Sequence, residues 1–293
     1  MSESSFCFCT FTSGPIYRQL TKLLVQDLEK YAPEIPFIIF TDRPSDFSNN
    51  SNVLPFKHTR QAISYHHERR FAVAKSLSMF NSCMYLDADL RICAPVPKNM
   101  QWLPGIVARS CTYMINHINE QLQKHNPPTS KAIEDFEFYK KMARKIGLDI
   151  EADRVMYLNE FLFVVSRDNG KEKKFLEYWE KLAIYSALNG HFEDPGFPIG
   201  MAAKKSGLTL RGDKMEGLDF FDDRIEKIRI SKGQSSPDSK REYFETQYRI
   251  ETPQRSFWQK AKSKIKRTID FYYRSIRLNI ITAIRDFNFY HRN

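Results

Sequence analysis

The chain has 293 residues, 42% of them hydrophobic and 14% aromatic, which is enough for a sizeable core and too much for intrinsic disorder. No apolar run approaches the ~20 residues that a membrane-spanning helix needs, and residues 1–14 lack the basic start and continuous apolar stretch of an export signal. The net charge is +10, but residues 251–293 hold ten Lys or Arg against three Asp or Glu, which leaves the rest of the chain at only +3. Five cysteines, an odd number in mostly apolar strand-like settings, read as reduced core thiols of a cytosolic protein. Cys7 and Cys9 would share a strand face, but no second pair at metal-ligand spacing completes a zinc site.

Taken in order, residues 5–11 are β-prone, and Ser13-Gly14-Pro15 is a helix start with proline in the first turn. Ile16, Leu20, Leu23, Leu24, Leu28 and Tyr31 then recur at helical spacing, predicting an amphipathic helix over 15–31. A continuously apolar strand at 36–41 completes a βαβ unit of the kind that builds parallel sheets. A short strand is expected at 53–56, a helix over 65–80, and a strand that runs into Asp87 and Asp89 and then resumes. Residues 94–104, with three prolines, read as a connection. Helices are expected at 133–146, 171–188 and 195–206, with one long strand or a pair of strands over 155–166. Residues 231–241 read as a flexible polar link. Alternating strands and helices over 1–210 predict an α/β fold with a mostly parallel central sheet, in which ligands bind beyond the carboxyl ends of the strands.

The aspartates fall at such an end. In Tyr85-Leu86-Asp87-Ala88-Asp89 an apolar strand delivers two carboxylates separated by one small residue, and a cation between them would relieve their repulsion. A hard oxygen site of this type suits Mg²⁺ or Mn²⁺ with positions left for substrate phosphates.

With the preceding segment His66–Met84, this motif resembles the GT-A glycosyltransferases, particularly the family-eight-like branch. There a helix bearing Arg and Lys precedes a strand ending in Tyr-Leu-Asp-Ala-Asp. The resemblance implies a single GT-A, Rossmann-like catalytic domain over 1–230, followed by a linker over 231–256 and a tail over 257–293. It implies Asp89 as principal metal ligand and Asp87 on the metal or the donor ribose. It puts Thr10 and Thr12 at the nucleotide base, and Arg70 or Lys75 at the diphosphate or donor sugar. Asn159 and Glu160 match a strand that carries polar residues toward the donor sugar, although the family has small residues where this chain has Glu160 and Phe161. Asp194 matches an acidic segment facing the reacting centre and is the first candidate to contact sugar or acceptor, with Glu193 or Glu160 second. The late histidine that many retaining members use as a third metal ligand has no counterpart between residues 196 and 290. Asp213, Asp219, Asp222, Asp223 or water stand in its place, and both stereochemical courses stay open. The activity implied is transfer from a nucleotide sugar, by default a UDP-sugar, to a glycan or lipid-linked acceptor.

In the tail, Trp258, Ala261, Ile265, Ile269, Tyr272, Ile276, Ile280, Ala283 and Phe287 recur every three or four residues, opposed by Lys260, Lys262, Lys264, Lys266 and Arg267. One or two amphipathic helices result, with the composition of a segment that lies in an anionic membrane interface. That predicts a peripheral protein at the cytoplasmic face of a membrane. The opposing possibility is that the stripe packs on the protein. A nucleic-acid binder or a catalytically inactive scaffold with a basic tail is the rival reading. Because an acidic strand end repels phosphate without a metal, no nucleic-acid partner is expected.

Overall fold

A computed structural model describes residues 6–97, 100–254 and 256–292. Ser5 of the first expected strand, Lys98 and Asn99 of the expected connection, Arg255 of the linker and Asn293 of the tail lie outside the described residues. β1 (Phe6–Thr12) is buried along nearly its whole length. Gly14, at φ 85°, then turns the chain into α1 (Pro15–Tyr31), where Pro15 occupies a first-turn position whose N–H has no intrahelical partner. β2 (Phe37–Thr41) and β3 (Val53–Lys57) follow. The helix expected from residue 65 begins as a 3₁₀ turn, Tyr65–Glu68, before α2 (Arg69–Met79). Buried Glu68 ties that turn back by accepting from the backbone N–H groups of Gln61, at 2.6 Å, and Ala62.

β4 (Ser82–Leu86) leads to the aspartates and β5 (Arg91–Ile92) resumes beyond them. β6 (Gly105–Ala108), β7 (Cys111–Tyr113) and α3 (Met114–Gln123) precede α4 (Ser130–Lys145), which Thr129 caps through a bond from the Ala132 N–H. The 155–166 segment is two strands, β8 (Met156–Leu158) and β9 (Leu162–Ser166), and they belong to different sheets. Then come α5 (Lys171–Leu188), α6 (Gly196–Ser206), β10 (Leu210–Gly212) and β11 (Phe220–Phe221). α7 (Asp223–Ser231), α8 (Arg241–Glu251) and α9 (Phe257–His291) end the chain. The protein is α/β, and its strands pair mostly in parallel.

The chain divides into two compact units. The first draws on residues 1–59, 71–102 and 215–261. Its sheet has the order β4-β1-β2-β3 with every pair parallel, and Phe8, Phe37, Ile38, Leu20, Leu24 and Leu28 form its buried core. Each such side chain taken from water stabilises the fold by about 1.5–3 kcal/mol. From β1 the chain steps outward through β2 to β3 and then returns to β1's other side as β4, so strand order reverses between β1 and β4. Residues 241–251 are helical because Tyr243 and Phe244 pack on Phe221, with ring centroids 5.4 and 4.9 Å apart.

The second unit draws on residues 60–70, 103–214 and 262–293. β6 pairs in parallel with β10 and antiparallel with β9, and α5 buries Phe175 and Trp179, the latter beside Phe163 of β9. α6 approaches β8 so closely that a Cβ on Gly200 would lie 1.8 Å from the Met156 carbonyl oxygen, and one on Gly196 2.3 Å from that of Leu158. Only glycine fits at these two positions. The tail forms α9, with one non-helical residue at Asp286. One face is held down: Leu278 and Thr282 are buried, Asp270 meets Arg60 at 3.1 Å, and Asp286 meets Lys181 at 2.8 Å. The opposite face is open. Trp258, Ile265, Ile269, Ile276, Ile280, Ile284 and Phe287 are each between 55% and 81% exposed. No helix among the described residues is long and apolar enough to cross a membrane.

Candidate functional site

The acid pair leaves β4 beside the end of β1, at the reversal of strand order, which is where open parallel sheets form their ligand crevices. Thr10 locks the two strands there, its hydroxyl donating to the Leu86 carbonyl at 2.7 Å. Thr12, two residues further on, is buried, and its hydroxyl has no partner among the described residues. A buried hydroxyl left unpaired at a strand end is placed to meet a ligand.

Asp87 is buried and Asp89 half-buried. Burial, then the negative charges of Asp87 and Asp222, push the Asp89 carboxyl up to about 7. Asp222 itself is raised by burial, while its side chain caps α7 by accepting from the Ile225 N–H at 3.0 Å. Arg224, 69% exposed, brings its guanidinium to 4.0 Å from Asp87. Half-exposed Tyr17 on α1 also feels this cluster, since Asp89, Glu251 and Asp87 add to burial in raising its phenol. The acid excess here is the condition a bound cation relieves.

Among the described residues no group of three or more His, Cys, Asp or Glu side chains is set to hold a metal. The donor set of Asp87 and Asp89 nevertheless fits a hard divalent cation that draws its other ligands from water and phosphate oxygens. Of the residues weighed as a third ligand, Asp222 lies within electrostatic reach of Asp89. Asp219 is paired with Lys240 at 2.8 Å, Asp223 with Lys227 at 2.7 Å, and Asp213 belongs to the second unit. Lys75 sits over the Phe56 ring, 4.9 Å from its centroid.

The remaining candidates gather in the second unit. Asp194, before α6, accepts from the Tyr157 hydroxyl at 2.9 Å, and the His117 ring stacks on Tyr157 with centroids 3.7 Å apart. Burial raises the Asp194 carboxyl, opposed by that hydrogen bond and by His117. Asp194 also lines a cavity of about 230 Å³ between α3, α4 and α6, with Tyr139, Phe197 and Phe136 as aromatic walls and Lys124 and Asp135 at its rim. Glu160 is committed elsewhere, 3.4 Å from buried Arg69, and Glu193 is exposed. Asn159 donates to the Ser110 hydroxyl at 2.9 Å, which fixes the β8 end. Arg70 is buried, donates to the His67 carbonyl at 2.6 Å and lies 3.8 Å from Glu180.

The residues not singled out in the sequence are Tyr17, Arg224 and Glu251 around the acid pair, and Tyr157 and His117 around Asp194. Nothing in their local patterns marks them, because each reaches its site through chain reversal rather than spacing. No protein-family model matches the chain, and no curated protein is similar to it in sequence.

Proposed function

We propose that the protein is a glycosyltransferase of GT-A type that takes a sugar from a UDP-sugar, with Mn²⁺ or Mg²⁺ held by Asp87 and Asp89. The observation that carries this reading is the acid pair at the strand-order reversal, with the Asp89 carboxyl pushed up to about 7 by its setting. Such a cation, when bound, neutralises charge developing on the departing nucleoside diphosphate. The protein's own groups do the rest. Thr12 offers a hydroxyl to the nucleotide, Arg224 an exposed guanidinium to the diphosphate, and Tyr17 a phenol within electrostatic reach of the acid pair. Asp194, its proton affinity raised by burial, is the base for an acceptor hydroxyl if configuration inverts. The aromatic cavity beside it suits the apolar face of a sugar ring.

The open face of α9 extends the reading to location. A stripe from Trp258 to Phe287 spans about 45 Å at the helical rise. Its charge complement is Lys260, Lys262, Lys264, Lys266 and Arg267, and exposed Tyr272 and Tyr273 supply interfacial aromatics. An anionic bilayer surface matches both features, with the enzyme peripheral at the cytoplasmic face and a glycan or lipid-linked acceptor.

Calorimetric titration of UDP, GDP and CMP with and without Mn²⁺ tests the core claim. Expected is UDP binding that requires Mn²⁺ and disappears in Asp89→Ala. Metal-independent binding, or none of any nucleotide, would sink the assignment and favour an inactive scaffold. Sedimentation with phosphatidylglycerol vesicles tests the helix, and Trp258→Ser/Ile265→Ser/Ile269→Ser should abolish it.

A further inference from the structure

A cavity of about 70 Å³ opens in the second unit between α5, α9 and the 61–70 segment. It is separate from the cavity at Asp194, and its wall carries Arg70, Arg277 and Arg285 against a single carboxylate, Glu180. That carboxylate is weakly placed to offset them, since its side chain is 45% exposed and 3.8 Å from the nearest guanidinium nitrogen. Arg70 is 6% exposed and cannot swing out to water. Arg277 and Arg285 come from one side of α9, two turns apart, on the face that also buries Leu278.

The second observation is His67. It lines the same cavity, is 1% exposed, and neither ring nitrogen has a hydrogen-bond partner among the described residues. Burial, then the charges of Arg70, His66 and Arg69, hold its proton affinity down to about 3, so the ring is neutral. A neutral imidazole presents one N–H donor and one bare acceptor nitrogen. Buried polar atoms of this kind are almost always satisfied, by ordered water or a ligand where the protein does not do it.

We propose that this cavity is a phosphate-binding site, with Arg70, Arg277 and Arg285 around the anion and the His67 ring hydrogen-bonded to it. The lining carries three arginines against one glutamate, and although buried Glu68 also acts on Arg70 from outside the cavity, the balance stays positive and suits an anion. Guanidinium forks match its tetrahedral oxygens. A carboxylate could only accept from the imidazole N–H, whereas a monohydrogen phosphate can either accept from that N–H or donate its proton to the bare nitrogen, so it suits whichever ring nitrogen faces the arginines. The phosphate comes either as free inorganic phosphate or as the phosphomonoester headgroup of an anionic lipid. This inference does not rest on sugar transfer.

Inorganic phosphate is titrated into the full chain by calorimetry in chloride buffer at fixed ionic strength. The same chain is sedimented with phosphatidylcholine vesicles carrying phosphatidic acid or, at matched charge, phosphatidylglycerol. Saturable uptake of inorganic phosphate identifies the free anion. A preference for phosphatidic acid over phosphatidylglycerol without such uptake identifies the headgroup. In either case Arg277→Gln/Arg285→Gln should weaken the interaction at least ~10-fold, the scale of losing charge-assisted bonds. Glu180→Gln, which removes the opposing charge without disturbing α9, should tighten it. Binding unchanged in both variants, or neither phosphate uptake nor phosphatidic acid preference, overturns the proposal. The Trp258→Ser/Ile265→Ser/Ile269→Ser variant should keep the phosphate response while losing phosphatidylglycerol vesicles, so the two claims fail separately.

Discussion

Asp89, beyond β4, and Asp194, before α6, are both aspartates whose proton affinity is raised first by burial, yet their neighbours differ in sign. Around Asp89 the next influences are two further carboxylates, Asp87 and Asp222. Around Asp194 they are a donor, the Tyr157 hydroxyl, and the imidazole of His117. Like charge concentrated at one point is the condition that a bound cation would relieve. Asp194, although Asp135 also raises it, has its burial offset from within the protein by a donor and an imidazole. Burial raises both carboxyls alike; what differs is the charge of the groups beside them.

Breaking the two sites separately gives the largest effect. If configuration inverts, Asp194→Asn should lower turnover about 10²- to 10⁴-fold while leaving Mn²⁺-dependent UDP affinity intact, and Asp89→Asn should abolish both. Turnover assays beside calorimetry check this, and equal loss of UDP affinity in both variants would erase the distinction. Next in size is the backbone approach that holds Tyr157 beside Asp194. Gly200→Ala puts a methyl against the Met156 carbonyl and should cost about 3 kcal/mol, read as a lowered denaturant midpoint.

Titration sharpens the contrast further. Because the Asp89 carboxyl sits near 7 and a metal needs the carboxylate, Mn²⁺ affinity should fall up to about tenfold per pH unit below 7. A flat affinity between pH 5.5 and 7.5 would remove Asp89 from the metal. The smallest effect is on stability. A native carboxyl raised above its unfolded value of 3.8 binds a proton more tightly when folded, so stability without metal falls as pH rises from about 4 to 7. Asp89→Asn should escape that loss and gain about 1–3 kcal/mol over the parent at pH 8, with little difference at pH 4. Thermal melts at the two pH values decide it.

Much of this was legible in the residue order. The α1 helix, the flanking strands, α5 and the strand ending at Asp87 all follow from local periodicity and from proline or glycine at their ends, because one element's backbone and one buried face set those signals. Three parts needed the assembled chain. The 155–166 run reads equally as one strand or two, and it breaks after Leu158 because the Asn159 N–H bonds to the Ser110 carbonyl at 3.0 Å and Glu160 is drawn to Arg69. α8 lies in a stretch polar enough to pass for a linker, and it is stabilised by rings meeting Phe221 from outside its own segment.

The tail shows the same limit most sharply. Its period already declared an amphipathic helix with a basic side, since 3.6-residue spacing is a local property. Which face would be covered was decided by Arg60 and Lys181, far away in sequence, whose pairing with Asp270 and Asp286 turns Leu278 inward and leaves Ile265, Ile269 and Ile276 outside. Likewise the carboxylates of Asp87 and Asp89 are visible as neighbours in the chain, but their company with Asp222 and Arg224 is not, because electrostatic coupling depends on distance through space.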